Sequence, residues 1–281
     1  MTTVSIVIHN SPRQQLQTAI ACLGVSSVNK IYILDNGNQG IDYSAVIEAY
    51  PIILYKKIKN NGFGAGHNIA IRQAIEEDPD GFHLVMNADV FWENDIISKL
   101  ISYMEENQDV GIVAPKVFYP DGDLQYTCRM LPSPLDLFAK RFMPESLIEK
   151  RMIRYLLKEH NHDVPLNCPY LLGSFLFFRN KALLDCGIFD ERFFMYPEDI
   201  DITRRIHEKW KTIYWPDVSI IHEHCAASRK DPLMLKIHIK NMIKYYNKWG
   251  WIIDKKRIKF NRELKNSLIL QPSDQRPKGR G

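Results

Sequence analysis

Along the first hundred or so residues, short and almost wholly apolar runs alternate with longer stretches whose apolar positions recur every three or four residues. "VSIVI" (4–8) is β-branched and lacks a regular polar alternation, the pattern of a strand buried on both faces. "QQLQTAIACLG" (14–24) has helical spacing and closes at Gly24. "KIYILD" (30–35) predicts a second strand, "DYSAVIEAYP" (42–51) a helix stopped before Pro51, and "IILYKKI" (52–58) a third strand. "NNGFGAGHN" (60–68) then opens a helix, "HNIAIRQAIEED" (67–78). "GFHLVMNAD" (81–89) predicts a fourth strand, "ENDIISKLISYMEEN" (93–107) an amphipathic helix, and "VGIVAPKVF" (110–118) a fifth strand. This order predicts an α/β fold with a mostly parallel sheet covered by helices on both sides. Ligands bind such sheets at the carboxyl ends of the strands. Here those ends carry "HN" (9–10), "DN" (35–36), "NNG" (60–62) and "NAD" (87–89), all polar.

Residues 121–170 are less regular, with Pro132, Pro134, Pro144, Pro165 and Pro169 around a predicted helix, "SLIEKRMIRYLLKEH" (146–160). Strand and helix return in "LLGSFLFFRNKALLDCGIFD" (171–190), followed by a helix, "PEDIDITRRIHEKW" (197–210), and a strand, "TIYWPDVSIIH" (212–222). Between 229 and 265, twelve Lys and Arg residues oppose only three acids. We therefore expect a domain over 1–228, with a change of character at about residue 120. A basic amphipathic helical extension is expected over 229–270, lying on a membrane surface or packed on the body with a solvated basic face, and a disordered tail over 271–281.

Bulk properties change this picture little. The chain has 281 residues, 45% hydrophobic and 25% charged, as in a soluble globular protein. A net charge of +4 is too small to point to nucleic acid, and none is expected as a partner. Five cysteines, widely spread and without CxxC, argue against a disulfide framework and suit a reducing cytoplasm. The opening "MTTVSIVIHN" reads as a strand, not a signal peptide, and the longest apolar run, "YLLGSFLFF" (170–178), is too short to span a bilayer.

Three stretches carry candidate chemistry. "LVMNADVFW" (84–92) brings Asp89 to a strand end, where a carboxylate can hold a divalent cation and through it a diphosphate; a helix-capped turn reads the same way. In "FFMYPEDIDITRRI" (193–206), Pro197 suits the first helical position, and Glu198, Asp199 and Asp201 crowd the first turn. The helix dipole favours their ionised forms and low pKa values, and such a carboxylate can take a proton from a sugar hydroxyl; plain charge capping is the alternative. In "IIHEHCAAS" (220–228), His222 and His224 fall on one side of an extended chain, as metal ligands or solvated loop residues. The glycine stretch has neither GxGxxG nor GxxxxGK[ST] spacing, so the dinucleotide and P-loop readings fail. Gly62, Gly64 and Gly66 still allow close backbone approach at a helix start that favours anions.

Taken in order, "HN", "LDN", "NNGFGAGHN", "NAD", "GSFLFFR", "FDERFFMYPEDID" and "IIHEH" resemble the family 2 glycosyltransferases with the GT-A fold, over about residues 3–228. The likeness is greatest to the bacterial subgroup containing rhamnosyltransferases and other polysaccharide-building enzymes. The resemblance implies an inverting transferase that moves a sugar from a dTDP- or UDP-sugar, dTDP-rhamnose among them, to a hydroxyl of a glycan or lipid-linked acceptor in cell-surface polysaccharide synthesis. It implies donor contacts from Asn10, Asp35, Asn36, Asn60, Gly62, Asn68, Asn87 and Asp89. It implies acceptor contacts at Gly173 and Ser174, a general base at Asp199 with Glu198 beside it, and Mg2+ or Mn2+ held by Asp89 and His222, with His224 as the substitute. One departure stands out: Asn87 occupies the place of the first acid of the metal-binding DxD. A non-catalytic nucleotide- or glycan-binding relative is the alternative; a sugar nucleotidyltransferase is a weaker one, because "HNSPRQQ" (9–15) lacks a glycine-rich loop after the first strand. Lipid-linked acceptors and the basic 229–265 stretch together suggest a cytoplasmic protein peripheral on the inner face of the plasma membrane.

Overall fold

A computed structural model of the chain describes residues 1–24, 27–137, 143–223 and 232–269. The predicted parallel block is present. β1 (Thr2–Ile8) pairs in parallel with β2 (Lys30–Asp35) and β4 (Phe82–Met86), and β2 pairs in parallel with β3 (Ile53–Lys57) at the sheet edge. The connecting helices are α1 (Arg13–Leu23), α2 (Ser44–Glu48) and α3 (Phe63–Glu77).

Beyond β4 the sheet changes direction. After β5 (Val90–Phe91) and α4 (Ile96–Glu106) comes β6 (Val110–Phe118), which does not pair with β4. Three short strands follow, β7 (Leu124–Gln125), β8 (Cys128–Arg129) and, after helix α5 (Glu145–Tyr155), β9 (Leu166–Asn167); then come β10 (Tyr170–Leu171) and β11 (Phe175–Arg179). β11 inserts antiparallel between β4 and β6. After α6 (Asn180–Cys186) and α7 (Glu198–His207), β12 (Lys211–His222) runs parallel to β6, giving the order β3-β2-β1-β4-β11-β6-β12-β5. A strand buried on both faces looks alike in either direction, so the reversal at β11 leaves no mark on the apolar pattern.

The alternation of side chains divides the core in two. Leu84, Met86, Val113, Phe175 and Phe177 face the layer containing α1 and α4. Val85, Ile112, Leu176 and Phe178 face the layer containing α6 and α7. The same second cluster takes in Met242, Tyr245 and Tyr246 from α8 (Pro232–Trp249), and Phe260, Leu264 and Leu268 from α9 (Lys255–Ile269). The basic extension is thus two helices whose apolar faces are buried against the body, not one amphipathic helix with an open apolar face. The expected tail at 271–281 lies outside the described residues, as does His224.

One cysteine expectation is corrected. Cys128 and Cys168 form a disulfide, because β8 and the segment between β9 and β10 lie side by side with the two Cα atoms 6.0 Å apart. Their separation of 40 residues concealed that proximity.

Candidate active site

The loops after β1, β2 and β3 meet in a polar cluster at the carboxyl edge. The Asn10 Oδ1 accepts from the backbone N–H groups of Asn38 (2.9 Å) and Gln39 (3.0 Å), bracing the loop after β2. His9 Nδ1 lies 2.9 Å from Asn36 Oδ1, Asn36 Nδ2 donates to Asn60 Oδ1 at 3.4 Å, and Asn60 Oδ1 accepts from Gly62 N at 3.3 Å. Asp35 is buried beneath them; its Oδ2 accepts from the Tyr55 hydroxyl (2.6 Å) and Lys57 Nζ (2.9 Å), and its Oδ1 from Gly37 N (2.8 Å). Burial raises its pKa, but these donors together outweigh it and hold the carboxyl below its ordinary value. Tyr55 and Lys57 carried no signal beyond their place in an edge strand.

The glycine stretch turns out to be a packing device. Gly62 has a φ of +106°, open to glycine at little cost, and a Cβ there would collide with the Phe194 carbonyl. Phe63 N donates to that same Phe194 oxygen at 2.9 Å, so the start of α3 docks on the loop that leads into α7. Asn68, expected to touch the donor, is instead fully buried. Its Nδ2 donates to Phe189 O and Glu191 Oε1 (both 2.9 Å), and its Oδ1 accepts from Phe189 N (3.1 Å). Its amide is fully engaged in holding that loop, which removes it from the pocket. His67 is equally buried, in a chain that runs from its Nδ1 to Ser5 Oγ (2.7 Å) and on to His83 Nε2 (2.8 Å). Burial holds His83 down at about 3 and His67 well below its usual value, so both rings are neutral struts.

A second cluster forms where β4, β5 and β12 end. Asp89 Oδ1 lies 3.3 Å from His222 Nε2, and Asn87 Nδ2 lies 3.5 Å from the same nitrogen. Gln125 holds the ring from behind: its Nε2 donates to the His222 carbonyl (2.8 Å), which leaves its Oε1 facing His222 Nδ1 at 2.9 Å. Nδ1 is then the donor of that bond, and Nε2 faces Asp89 and Asn87. An imidazole nitrogen and a carboxylate oxygen 3.3 Å apart are ligand types that a divalent ion accepts. The pair therefore suits a hard divalent ion whose remaining oxygen ligands come from elsewhere. Among the described residues no group of three or more His, Cys, Asp or Glu side chains gathers as a ligand set.

The acids of α7 separate into distinct environments. Pro197 is the residue before the helix, not its first position, and follows a cis Tyr196–Pro197 bond. Asp199 Oδ2 accepts from the Tyr170 hydroxyl and Gly173 N (both 3.2 Å), and its Oδ1 accepts from Ile200 N (2.8 Å). Gly173 has no room for a side chain there: a Cβ would stand 3.0 Å from Asp199 Cβ. Burial raises the Asp199 pKa, opposed by the N–H groups of Ile200 and Gly173, the Arg129 charge and Tyr170. Glu198 is 5% exposed, and its Oε2 has no hydrogen-bond partner. Burial pushes it well above the carboxylate range, and the Asp199 charge adds to this. The helix dipole thus loses to desolvation at both positions, against the expectation of low values. Of the two, Glu198 is raised further, so a proton is held more tightly there and a charge is better accommodated at Asp199, which has the donors. Asp201 is fully buried between Arg205 (2.9 Å), Lys248 (2.7 Å) and Trp249 Nε1 (2.8 Å), a structural position.

Ser174 completes the link between these groups: its carbonyl accepts from Asn87 N at 3.0 Å, while its buried hydroxyl has no protein partner. Tyr170, Arg129 and Gln125 went unnoticed in the sequence, because they sit on two-residue strands in the proline-rich stretch. Arg129 stacks over the Tyr170 ring at 5.7 Å and donates through Nε to Tyr126 O at 2.7 Å.

Comparison with known proteins agrees with this geometry. The model for Glycosyl transferase family 2 matches residues 3–187, ending before α7 and His222. Two curated relatives, from two strains of Mycobacterium tuberculosis, are N-acetylglucosaminyl-diphospho-decaprenol L-rhamnosyltransferases. Each is 27% identical over 242 residues, covering 81% of this chain and 78% of its own. Among solved structures, S. aureus TarS (1–349) aligns with a TM-score of 0.54 and 15% identity over 98% of this chain and 76% of that one. GalNAc-T7 with UDP, GalNAc and Mn2+ aligns with a TM-score of 0.58 and 12% identity over 79% of this chain. The chain spans only 43% of the GalNAc-T7 chain. These likenesses establish the GT-A fold. With the family match running from β1 through β11 and its loops forming the polar edge just described, the chain belongs to glycosyl transferase family 2 and is a glycosyltransferase.

Proposed function

We propose that this enzyme transfers one sugar, with inversion, from a nucleotide-diphosphate donor to a hydroxyl of a glycan or lipid-linked acceptor. The observation that carries this reading is Asp199: a half-buried carboxylate at the start of α7, held by the Tyr170 hydroxyl and the Gly173 N–H. Asn10, Asp35, Asn36, Asn60 and Gly62 shape the nucleotide end of the pocket, Asn87 and Asp89 its diphosphate end, and Gly173 and Ser174 the side from which the acceptor comes.

Asp199 takes the proton of the attacking hydroxyl. The new C–O bond forms on one face of the anomeric carbon while the bond to the diphosphate breaks on the other, and the electron pair leaves with the diphosphate. Asp89 and His222 are the residues that would hold Mg2+ or Mn2+; such an ion supplies neutralisation of charge on the leaving diphosphate. Glu198, protonated, keeps a second negative charge away from the base. The relatives' names favour rhamnose as the sugar and a diphospholipid-linked N-acetylglucosamine as the acceptor. dTDP-rhamnose is therefore the first donor to test, with UDP-sugars next. None of the described helices is long and apolar enough to cross a membrane. A cytoplasmic enzyme that meets its acceptor at the inner face of the plasma membrane, through the basic 229–265 stretch, fits this reading. The Cys128–Cys168 sulfurs belong to fully buried residues, shielded from a reducing thiol pool.

The deciding experiment is Asp199→Asn. Transfer, followed as free nucleoside diphosphate, falls on the order of 100- to 10,000-fold while nucleotide affinity stays near wild type. Near-normal turnover would sink the assignment. EDTA is expected to suppress transfer and Mn2+ or Mg2+ to restore it; full activity after rigorous chelation would remove the metal from Asp89 and His222.

A further inference from the structure

Among the described residues several single hydrophobic side chains are exposed, Ile269, Leu147 and Leu233 among them, but the most exposed adjacent pair lies in one turn. The turn between α8 and α9 (250–254) displays Ile252 at 86% exposure, the highest of any large hydrophobic residue among those described, and Ile253 at 76%. Trp251 beside them is 39% exposed. This turn is firmly built. Gly250, at φ +103°, donates to Tyr246 O at 2.8 Å. Trp251 Nε1 donates to Asn247 Oδ1 at 2.8 Å, and Arg257 Nη2 donates to Ile252 O at 3.1 Å. Asp254, itself buried, accepts from Arg257 N at 2.9 Å and pairs with Arg204 through two bonds of 2.6 and 2.7 Å. These bonds hold the turn on both sides of the two isoleucines.

The surroundings identify what covers them. Lys255, Lys256, Lys259, Arg262 and Lys265 are exposed along α9, and the one exposed acid of that helix is Glu263. Only Lys256 and Lys259 have carboxylate partners, Glu208 at 2.6 Å and Glu263 at 3.8 Å. Ile258, 56% exposed, continues the apolar strip by one turn. Two isoleucines and an indole edge are far too little for a protein–protein interface, which needs about 800 Å² on each side. They suffice for an interfacial anchor, where a few apolar side chains enter the headgroup boundary and nearby cations meet anionic lipid.

We propose that the 250–254 turn is a membrane anchor, inserting Ile252 and Ile253 into the interface of an anionic bilayer with Lys255, Lys256 and Lys259 against the headgroups. It rests on the reading above, in which the acceptor is membrane-borne. The anchor is joined to the catalytic helix: Arg204 of α7 stacks on Trp249 at 4.0 Å and binds Asp254, so docking the turn also orients the helix that carries Asp199.

The test uses full-length protein in flotation with phosphatidylcholine vesicles, with or without phosphatidylglycerol. Wild type floats with the anionic vesicles, and the doubly substituted Ile252→Ser, Ile253→Ser protein loses about tenfold or more of that binding. Its melting temperature, and its transfer to a water-soluble acceptor analogue, stay at wild-type values. Lys255→Glu with Lys256→Glu weakens binding at low salt only. If the serine variant floats like wild type, the turn is not the anchor although membrane attachment stands. If wild type itself does not float while transferring sugar in solution, membrane attachment falls and the transferase reading survives. If wild type sediments as a dimer that the serine substitutions dissociate, the strip is a self-association surface and the proposal is overturned.

Discussion

Glu198 and Asp199 are adjacent carboxylates with different surroundings, and the roles proposed for them follow from that difference. Asp199 has three hydrogen-bond donors and a nearby guanidinium, whereas Glu198 has an oxygen with no partner. The sequence made both legible as acids at a helix start but predicted low pKa values, because a dipole argument cannot know how deeply the end is buried. Burial raises Glu198 well above its ordinary value, so the folded state keeps a proton that the unfolded chain releases above pH ~4.3. Its contribution to stability is therefore fully present in acid and is lost as pH rises toward the folded pKa. Glu198→Gln removes that dependence. We expect its melting temperature to exceed wild type at pH 8 and the gain to vanish near pH 4, which thermal melts across pH will check. A gain that persists unchanged at pH 4 would point to packing instead of ionisation. The proposed base role of Asp199 predicts the opposite sense for activity: transfer needs the ionised form and falls as pH drops through a value above that of an ordinary aspartate.

At the scale of elements, α7 joins the proposed base, Asp199, to the packing of the helical extension. Its amphipathic spacing was readable, and so was its crowd of acids and bases. Which charge pairs with which was not, apart from the local Asp201–Arg205 pair, because the other partners are remote. Asp201 takes Lys248 and Trp249 from α8, and Arg204 takes Asp254 from the turn 50 residues on. The Arg204–Asp254 pair is 1% and 3% exposed, so removing one member strands the other charge in the interior. Asp254→Asn should cost about 3–5 kcal/mol. Equilibrium denaturation measures this directly; a loss under about 1 kcal/mol would mean the pair behaves like a surface bridge. The start of α3 is similar. "NNGFGAGHN" invited a phosphate loop, yet Gly62 is required by the Phe194 backbone lying against it. A glycine reports that something comes close, and the fold alone says what.

For the whole molecule, the helical extension matters more than its composition suggested. Basic charge and mixed polarity left two readings open, a membrane-surface helix or a helix packed on the catalytic body. The structure chooses packing, with Met242, Tyr245, Tyr246, Phe260, Leu264 and Leu268 inside the main cluster. At about 1.5–3 kcal/mol for each buried side chain, these six together rival the 5–15 kcal/mol that holds a typical domain together. A chain ending after Ser228 should therefore be insoluble or lack a cooperative melt. A truncated protein that melts near wild type would show the extension to be dispensable. Local pattern alone determined much of the rest: strands from apolar β-branched runs, helices from spacing, and polar residues at the strand ends that form the pocket. Those are short-range properties, set by residues a few positions apart. Only tertiary structure decided the antiparallel entry of β11, the Cys128–Cys168 bond, the placing of Gln125 behind His222, and the different surroundings of Glu198 and Asp199. Each depends on desolvation or on contacts between distant segments, and neither periodicity nor composition encodes those.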